Sequence, residues 1–174
     1  SVVFAQTKPA GTGVITGRVQ IGEKPAVGVI VGLVRADITN PMNSGSVAKT
    51  TTDAEGRYRL TQVPAGNFRV TPLAPSFIAT TDSPGFYEQG KPIQMAEGET
   101  LEHIDFTLVR GGVITGKVTD GNGKPLIEQN LGVWKLEDGG RKSSWSSTDS
   151  FSMMRTDDRG IYRLYGLPEG RYLI

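Results

Sequence analysis

The segment Thr52–Val70, TDAEGRYRLTQVPAGNFRV, returns later in the chain as Thr156–Ile174, TDDRGIYRLYGLPEGRYLI. Aligned without a gap, the two copies share Thr, Asp, Gly, Tyr, Arg, Leu, Pro and Gly at the same steps. A repeat at fixed spacing sets the architecture before any other signal is considered. Where the copies differ the apolar class is kept: Val63 becomes Leu167, Phe68 becomes Tyr172 and Val70 becomes Ile174. The pattern is that of a β-hairpin. Asp53 with Gly56, and Asp157 with Gly160, bracket tight turns, because Asp hydrogen-bonds the backbone ahead of it and Gly tolerates positive φ. Tyr58 and Leu60 then alternate with Arg57 and Arg59, giving one apolar and one charged face. Pro64 with Gly66, and Pro168 with Gly170, break the strand and turn the chain back.

A second repeat precedes each hairpin. Gly13–Val19, GVITGRV, recurs as Gly112–Val118, GVITGKV, and each copy is followed by a Gly/Pro turn: Gly22–Ala26 in the first, Asp120–Pro125 in the second. Val29, Val31 and Leu33 alternate through the next strand and correspond, on the alignment of Pro25 with Pro125, to a strand through Leu131 and Val133. Asp37–Val47 and Glu137–Ser150 read as polar loops. Between the copies, Phe77–Thr81 and Pro92–Met95 read as short strands, and Leu101–Arg110 as a strand with Ile104, Phe106 and Leu108 inward.

The 23 Gly and 10 Pro suit many short strands joined by turns and exclude a helical protein. A formal net charge of +1 gives no global attraction to nucleic acid or anionic membrane. Without cysteine there is neither a disulfide nor a thiolate site. No run approaches the ~20 apolar residues a membrane helix needs, so no transmembrane segment is expected in these residues. Ser1–Ala5, SVVFA, reads as the end of a secretory signal peptide, with Val3 and Ala5 as the small residues before a cleavage at Gln6.

The order G-x-I-x-G-x-V, G-x-P, V-x-V-x-L and T-D-x-x-G-x-Y-x-L-x-x-[VL]-P-x-G-x-[FY] resembles the carboxypeptidase regulatory-like domain family, grouped with transthyretin-like and Cna-B-like sandwiches. Ile15, Gly17, Val19, Pro25, Val29, Val31, Asp53, Gly56, Tyr58, Leu60, Pro64 and Gly66 carry the match. Ile114, Gly116, Val118, Pro125, Asp157, Gly160, Tyr162, Leu164, Pro168 and Gly170 carry its second copy. The resemblance implies an all-β fold of tandem seven-stranded Greek-key β-sandwiches, prealbumin-like. The expected layout is a leader remnant and linker over 1–12, a first module over 13–110, and a second module over 111–174 that is truncated at its C-terminal end. It also implies an accessory module of a secreted, periplasmic or cell-surface bacterial protein. Such domains are also grouped with carbohydrate-binding folds.

No cofactor, metal or catalytic residue is expected. His103 is the single histidine, too few for a zinc site or a Ser-His-Asp triad. Gly111–Val118 matches the start of a P-loop, but Val118 stands where Ser or Thr must bind magnesium, and a turn follows where a helix is required. Asp120, Asn122 and Lys124 begin like a calcium loop until Lys124 breaks the ligand set. Lys117 stands where Cna-B-like relatives carry an isopeptide lysine, but Arg18 occupies the matching place in the first copy. Trp134 and Trp145 are the candidate carbohydrate-stacking residues, and both are equally suited to packing against a neighbouring domain. The sequence therefore points to a non-catalytic spacer or interaction module serving neighbouring domains of the same precursor, with polysaccharide binding as the alternative.

Overall fold

The computed structural model describes residues 12–36, 46–80, 90–136 and 154–174, together with the backbone of 142–144. Trp145 lies outside them. Among the described residues every regular element is a strand. They are β1 (Gly13–Ile21), β2 (Lys24–Pro25), β3 (Ile30–Arg35), β4 (Ala48–Thr51), β5 (Arg57–Val63), β6 (Gly66–Leu73), β7 (Phe77–Ala79), β8 (Lys91–Met95), β9 (Thr100–Leu101), β10 (Phe106–Arg110), β11 (Gly112–Lys117), β12 (Trp134–Leu136), β13 (Lys142–Ser144), β14 (Ile161–Leu167) and β15 (Arg171–Leu173).

Two compact units result. The first draws on Ser1–Gln20, Lys24–Pro72 and Gly90–Phe106, the second on Ile21–Glu23, Leu73–Gln89 and Thr107–Ile174. In the first, β1 carries β2, β5 and β9 in one sheet, and β4-β3-β6-β8 form another. Alternation assigns the inward faces. Ile15, Val19, Tyr58 and Leu60 of one sheet and Val31, Leu33, Phe68, Val70 and Met95 of the other are all buried, while Arg57 and Arg59 are exposed. Phe106, the last residue of this unit, is buried too.

The expected single strand Leu101–Arg110 is two. β9 pairs parallel to β1 through Val14↔Thr100 and Ile15↔Leu101, and regular pairing then stops until Phe106. The break has a cause in the backbone. His103 takes φ +61°, and the Ile104 N–H donates to the Thr16 carbonyl at 3.1 Å. His103 is therefore exposed between two strands rather than on the polar face of one. Phe106 and Leu108 keep the inward phase.

In the second unit β11 pairs with β14, and β12 lies between β13 and β15. Strand β13 falls within the stretch expected to be a polar loop; it pairs residue for residue with β12, Trp134↔Ser144 to Leu136↔Lys142. Val133, Leu164 and Leu167 form the buried cluster, with Ile114, Met154, Tyr162, Tyr165 and Tyr172 packed partly buried against it. The two hairpins share a bulge. In β5 the pairing to β1 shifts between Gly13 and Ile15, and Gln62 takes φ +57°. In β14 the pairing to β11 shifts between Gly112 and Val113, and Gly166, at the place of Gln62, takes φ +69°.

Leu60→Ala should lower unfolding free energy by about 2–5 kcal/mol, because it opens a cavity in a fully buried layer. Arg59→Ala, one step along and exposed, should change it by no more than about 0.5 kcal/mol. Denaturant melts of both variants measure the contrast.

Candidate functional site

Sequence reasoning singled out the turn residues and two tryptophans, and the turns can be built up atom by atom. After β4 the chain must stop, reverse and enter β5, and the amide groups of the reversal need acceptors that the strand ladder does not give them. Asp53 meets this need with one oxygen. Its Oδ1 accepts from the N–H of Glu55 at 3.0 Å and of Arg57 at 2.8 Å, and its own N–H donates to the Arg57 carbonyl at 2.9 Å. Gly56 closes the turn by donating to the Asp53 carbonyl at 3.0 Å with φ +74°. A methyl group on Gly56 would lie 2.4 Å from the Val19 carbonyl oxygen, so close approach and positive φ both demand glycine there.

The second copy repeats this bond for bond. Asp157 Oδ1 accepts from Arg159 N–H at 2.9 Å and Ile161 N–H at 2.8 Å, and Gly160 takes φ +74°. A third such turn stands at Asp120, whose Oδ1 accepts from Asn122 N–H at 2.9 Å and Lys124 N–H at 2.8 Å. The oxygen that began the calcium-like pattern is thus engaged by the turn itself. At the hairpin tips, Pro64 leads into Gly66 with φ +145°, and Pro168 leads into Gly170 with φ +154°.

Beside each Asp sits a threonine whose role no local pattern announces. Thr52 is 5% exposed; its hydroxyl donates to the Ala26 carbonyl at 2.6 Å and accepts from Val29 N–H at 2.9 Å. Thr156 is 3% exposed and does the same with the Leu126 carbonyl, 2.6 Å, and Gln129 N–H, 2.9 Å. Each hydroxyl therefore bridges the hairpin turn to the Gly/Pro turn some thirty residues earlier. The signal was present, since Thr recurs at one step of both copies, but a lone Thr does not announce a distant partner.

The electrostatics serve the same end. The Ile161 N–H bond and the Arg159 guanidinium, 3.0 Å from Oδ2, hold the Asp157 carboxyl below the usual carboxylate range. Burial raises the Tyr58 phenol, and Asp105 adds to the effect; its hydroxyl donates to the Ile104 carbonyl at 2.6 Å. Burial pushes the Tyr172 phenol up to about 12, and it donates to the Pro168 carbonyl at 2.7 Å. Among the described residues, no three His, Cys, Asp or Glu side chains gather as a metal site. No described helix is long and apolar enough to cross a membrane.

Trp134 is 36% exposed, with its ring over Gly132, where an added methyl would sit 2.1 Å from the ring edge. It faces away from the neighbouring Val133, which is 3% exposed.

The model of the family described as "carboxypeptidase regulatory-like domain" matches residues 14–109, from β1 to β10. The chain belongs to that family. The Asp53 turn and the β1–β9 pairing both fall within the matched residues. Among curated proteins, this family member is 26% identical over 163 residues to the serine-aspartate repeat-containing protein D of Staphylococcus aureus strain Newman. That match takes in 82% of the chain and 12% of the relative, and the strain MW2 protein gives the same identity with 11% of its length covered. The chain therefore spans about an eighth of the curated relatives it matches. Among solved structures, a streptococcal ancillary pilin aligns at TM-score 0.42 and 18% identity, covering 95% of this chain and 53% of that one. Shaft pilin SpaA of Lactobacillus rhamnosus GG, as its E269A/D295N double mutant, aligns at 0.38 and 12%, covering 94% and 86%. A putative carbohydrate-binding protein of Pseudomonas aeruginosa aligns at 0.36 and 16%, covering 60% and 92%.

Thr52→Val and Thr156→Val should each lose about 1–3 kcal/mol, since each takes away the buried hydroxyl that pairs a carbonyl and an amide of the preceding turn; equilibrium unfolding checks this. Asp157 gives a pH test. Its carboxyl is lowered on folding, so the stability it contributes is present above the usual carboxylate range and is lost as pH falls through the folded-state value. Asp157→Asn should accordingly be less stable than the parent at neutral pH, with a shallower loss on acidification, measured as melting temperature against pH.

Proposed function

We propose that this chain is a non-catalytic structural and interaction module: a spacer or accessory segment within a larger secreted, periplasmic or cell-surface protein. The observation that carries this is the use to which the repeated polar residues are put. The repeated Thr52, Asp53, Thr156 and Asp157 all spend their side-chain oxygens on backbone groups, the aspartates within their own turns and the threonines on the turn that precedes the hairpin. What the repeat preserves is therefore a way of building a rigid hairpin rather than a reacting group. The finer organisation we infer is two tandem Greek-key modules, 13–110 and 111–174, of seven strands each when whole. Two features favour it: the clips match bond for bond, and β14 sits on β11 in the register that β5 takes on β1. The chain's partners on this reading are neighbouring domains of the same protein. The small share of the curated relative that the chain covers agrees with it.

Tryptophan fluorescence tests the reading. Titrated with a panel of soluble polysaccharides, the emission of the chain should stay constant. A saturable change that disappears in Trp134→Ala would make carbohydrate recognition the function instead.

A further inference from the structure

Beyond that reading, the two units differ at one edge. In the first, the edge of β1 that faces away from β5 is closed by residues 99–105, running parallel to it. Val14 N–H donates to the Glu99 carbonyl at 2.9 Å, Thr16 accepts from Ile104 N–H at 3.1 Å, and Arg18 N–H donates to Asp105 Oδ1 at 2.7 Å. Gly17 makes room for this closure. A methyl group there would lie 2.2 Å from the Ile104 carbonyl oxygen, which also receives the Tyr58 hydroxyl.

The second unit keeps the receiving half of this arrangement. Strand β11, GVITGK, repeats GVITGR, and its register on β14 is the same: Ile114↔Leu164, Thr115↔Arg163, Gly116↔Tyr162 and Lys117↔Ile161, against Ile15↔Leu60, Thr16↔Arg59, Gly17↔Tyr58 and Arg18↔Arg57. Among the described residues β11 pairs with β14 alone. Val113 is 48% exposed, and Ile114 and Tyr162 are only partly buried where Ile15 and Tyr58 are buried. Among the described residues the Tyr162 hydroxyl has no hydrogen-bond partner, and its ring lies over Gly116, its oxygen 2.4 Å from where a methyl would be. The ring thus fills the place that the Ile104 carbonyl takes in the first unit.

We propose that the open edge of β11 is a docking site for an extended polypeptide strand of the type Glu-Thr-Leu-x-x-Ile-Asp-Phe, added parallel to β11. The pattern is read from the segment that closes β1. A backbone carbonyl at its start meets Val113 N–H. An Ile-position N–H meets the Thr115 carbonyl, and the carbonyl of that residue displaces the Tyr162 ring and takes its hydroxyl bond. The Asp carboxylate meets Lys117 N–H, and the aromatic residue that follows enters the core as Phe106 does. Charge favours the same occupant. Glu99, Glu102 and Asp105 make the segment acidic, with no Lys or Arg between 98 and 106, while the exposed Lys117 belongs to β11 itself. Main-chain pairing along an exposed edge supplies the affinity and the side-chain seats supply the specificity.

The probe is a fluorescent synthetic peptide of residues 98–108, GETLEHIDFTL, added to the whole chain. Saturable binding by anisotropy is expected, with hydrogen exchange at Val113 and Lys117 slowed about tenfold or more. Peptides carrying Asp105→Ala or Phe106→Ala should each bind about tenfold more weakly; because those changes are in the peptide, the folding of the protein is untouched. Absence of binding to folded chain would overturn the proposal, as would binding indifferent to both substitutions. Protection of Val113 and Lys117 that rises with protein concentration when no peptide is present would overturn it as well, by giving the edge to a second copy. The polysaccharide titration bears on none of these outcomes.

Discussion

Each hairpin depends on a pair of neighbouring oxygens, a threonine hydroxyl and an aspartate carboxylate. Strands alone do not make a sandwich; the chain must reverse repeatedly, and each reversal takes amide groups out of the strand ladder so that they need another acceptor. Asp53 gathers two such N–H groups on one oxygen and Thr52 ties the reversal to another turn. With the reversal fixed, the register of β5 on β1 is fixed, and with it the phase that buries Tyr58 and Leu60. A slip of one residue would turn both outward. The hydrophobic core thus holds its shape because polar atoms set where each strand begins.

The same pair works in the second unit with a thinner core. Leu164 and Leu167 are buried as Leu60 and Val63 are, yet Tyr172 is only half-buried where Phe68 is buried. The turn chemistry is insensitive to that difference: Asp157 and Thr156 make the bonds that Asp53 and Thr52 make. Local backbone bonding and long-range packing are separable here, since the hairpin's polar frame forms with or without a full complement of apolar neighbours.

How much of this was legible in the sequence follows from the range of each interaction. The alternation of Tyr58 and Leu60 with Arg57 and Arg59 is a local pattern, and it reads directly as an inward and an outward face. The Asp–Gly turns are local too. The role of Thr52 was hidden because its partners, Ala26 and Val29, lie more than twenty residues away. The interruption at His103 was hidden for the same reason. Leu101–Arg110 alternates well, and the partners that meet the chain at Ile104, the Thr16 carbonyl, the bare α-carbon of Gly17 and the Tyr58 hydroxyl, lie far away in sequence. Strand β13, KSS, carries no apolar alternation at all; its pairing with β12 is a main-chain matter that side chains do not advertise. Of the two tryptophans, Trp134 was placed outward by its phase against Val133, and Trp145 lies outside the described residues.

The parallel run of β9 beside β1 has a mechanical meaning. In the first unit the chain enters along β1 and makes its final passage along residues 99–105 in the same direction. Tension applied at the two ends of that unit therefore pulls these neighbours past each other lengthwise. The bonds from Val14 to Glu99, Thr16 to Ile104 and Arg18 to Asp105 are loaded together in shear, not opened one at a time as in a peeled hairpin. Resistance to force is a matter of the barrier to unfolding rather than of equilibrium stability, and a shared load raises that barrier. A module closed in this way is suited to transmitting tension along a protein with its shape intact.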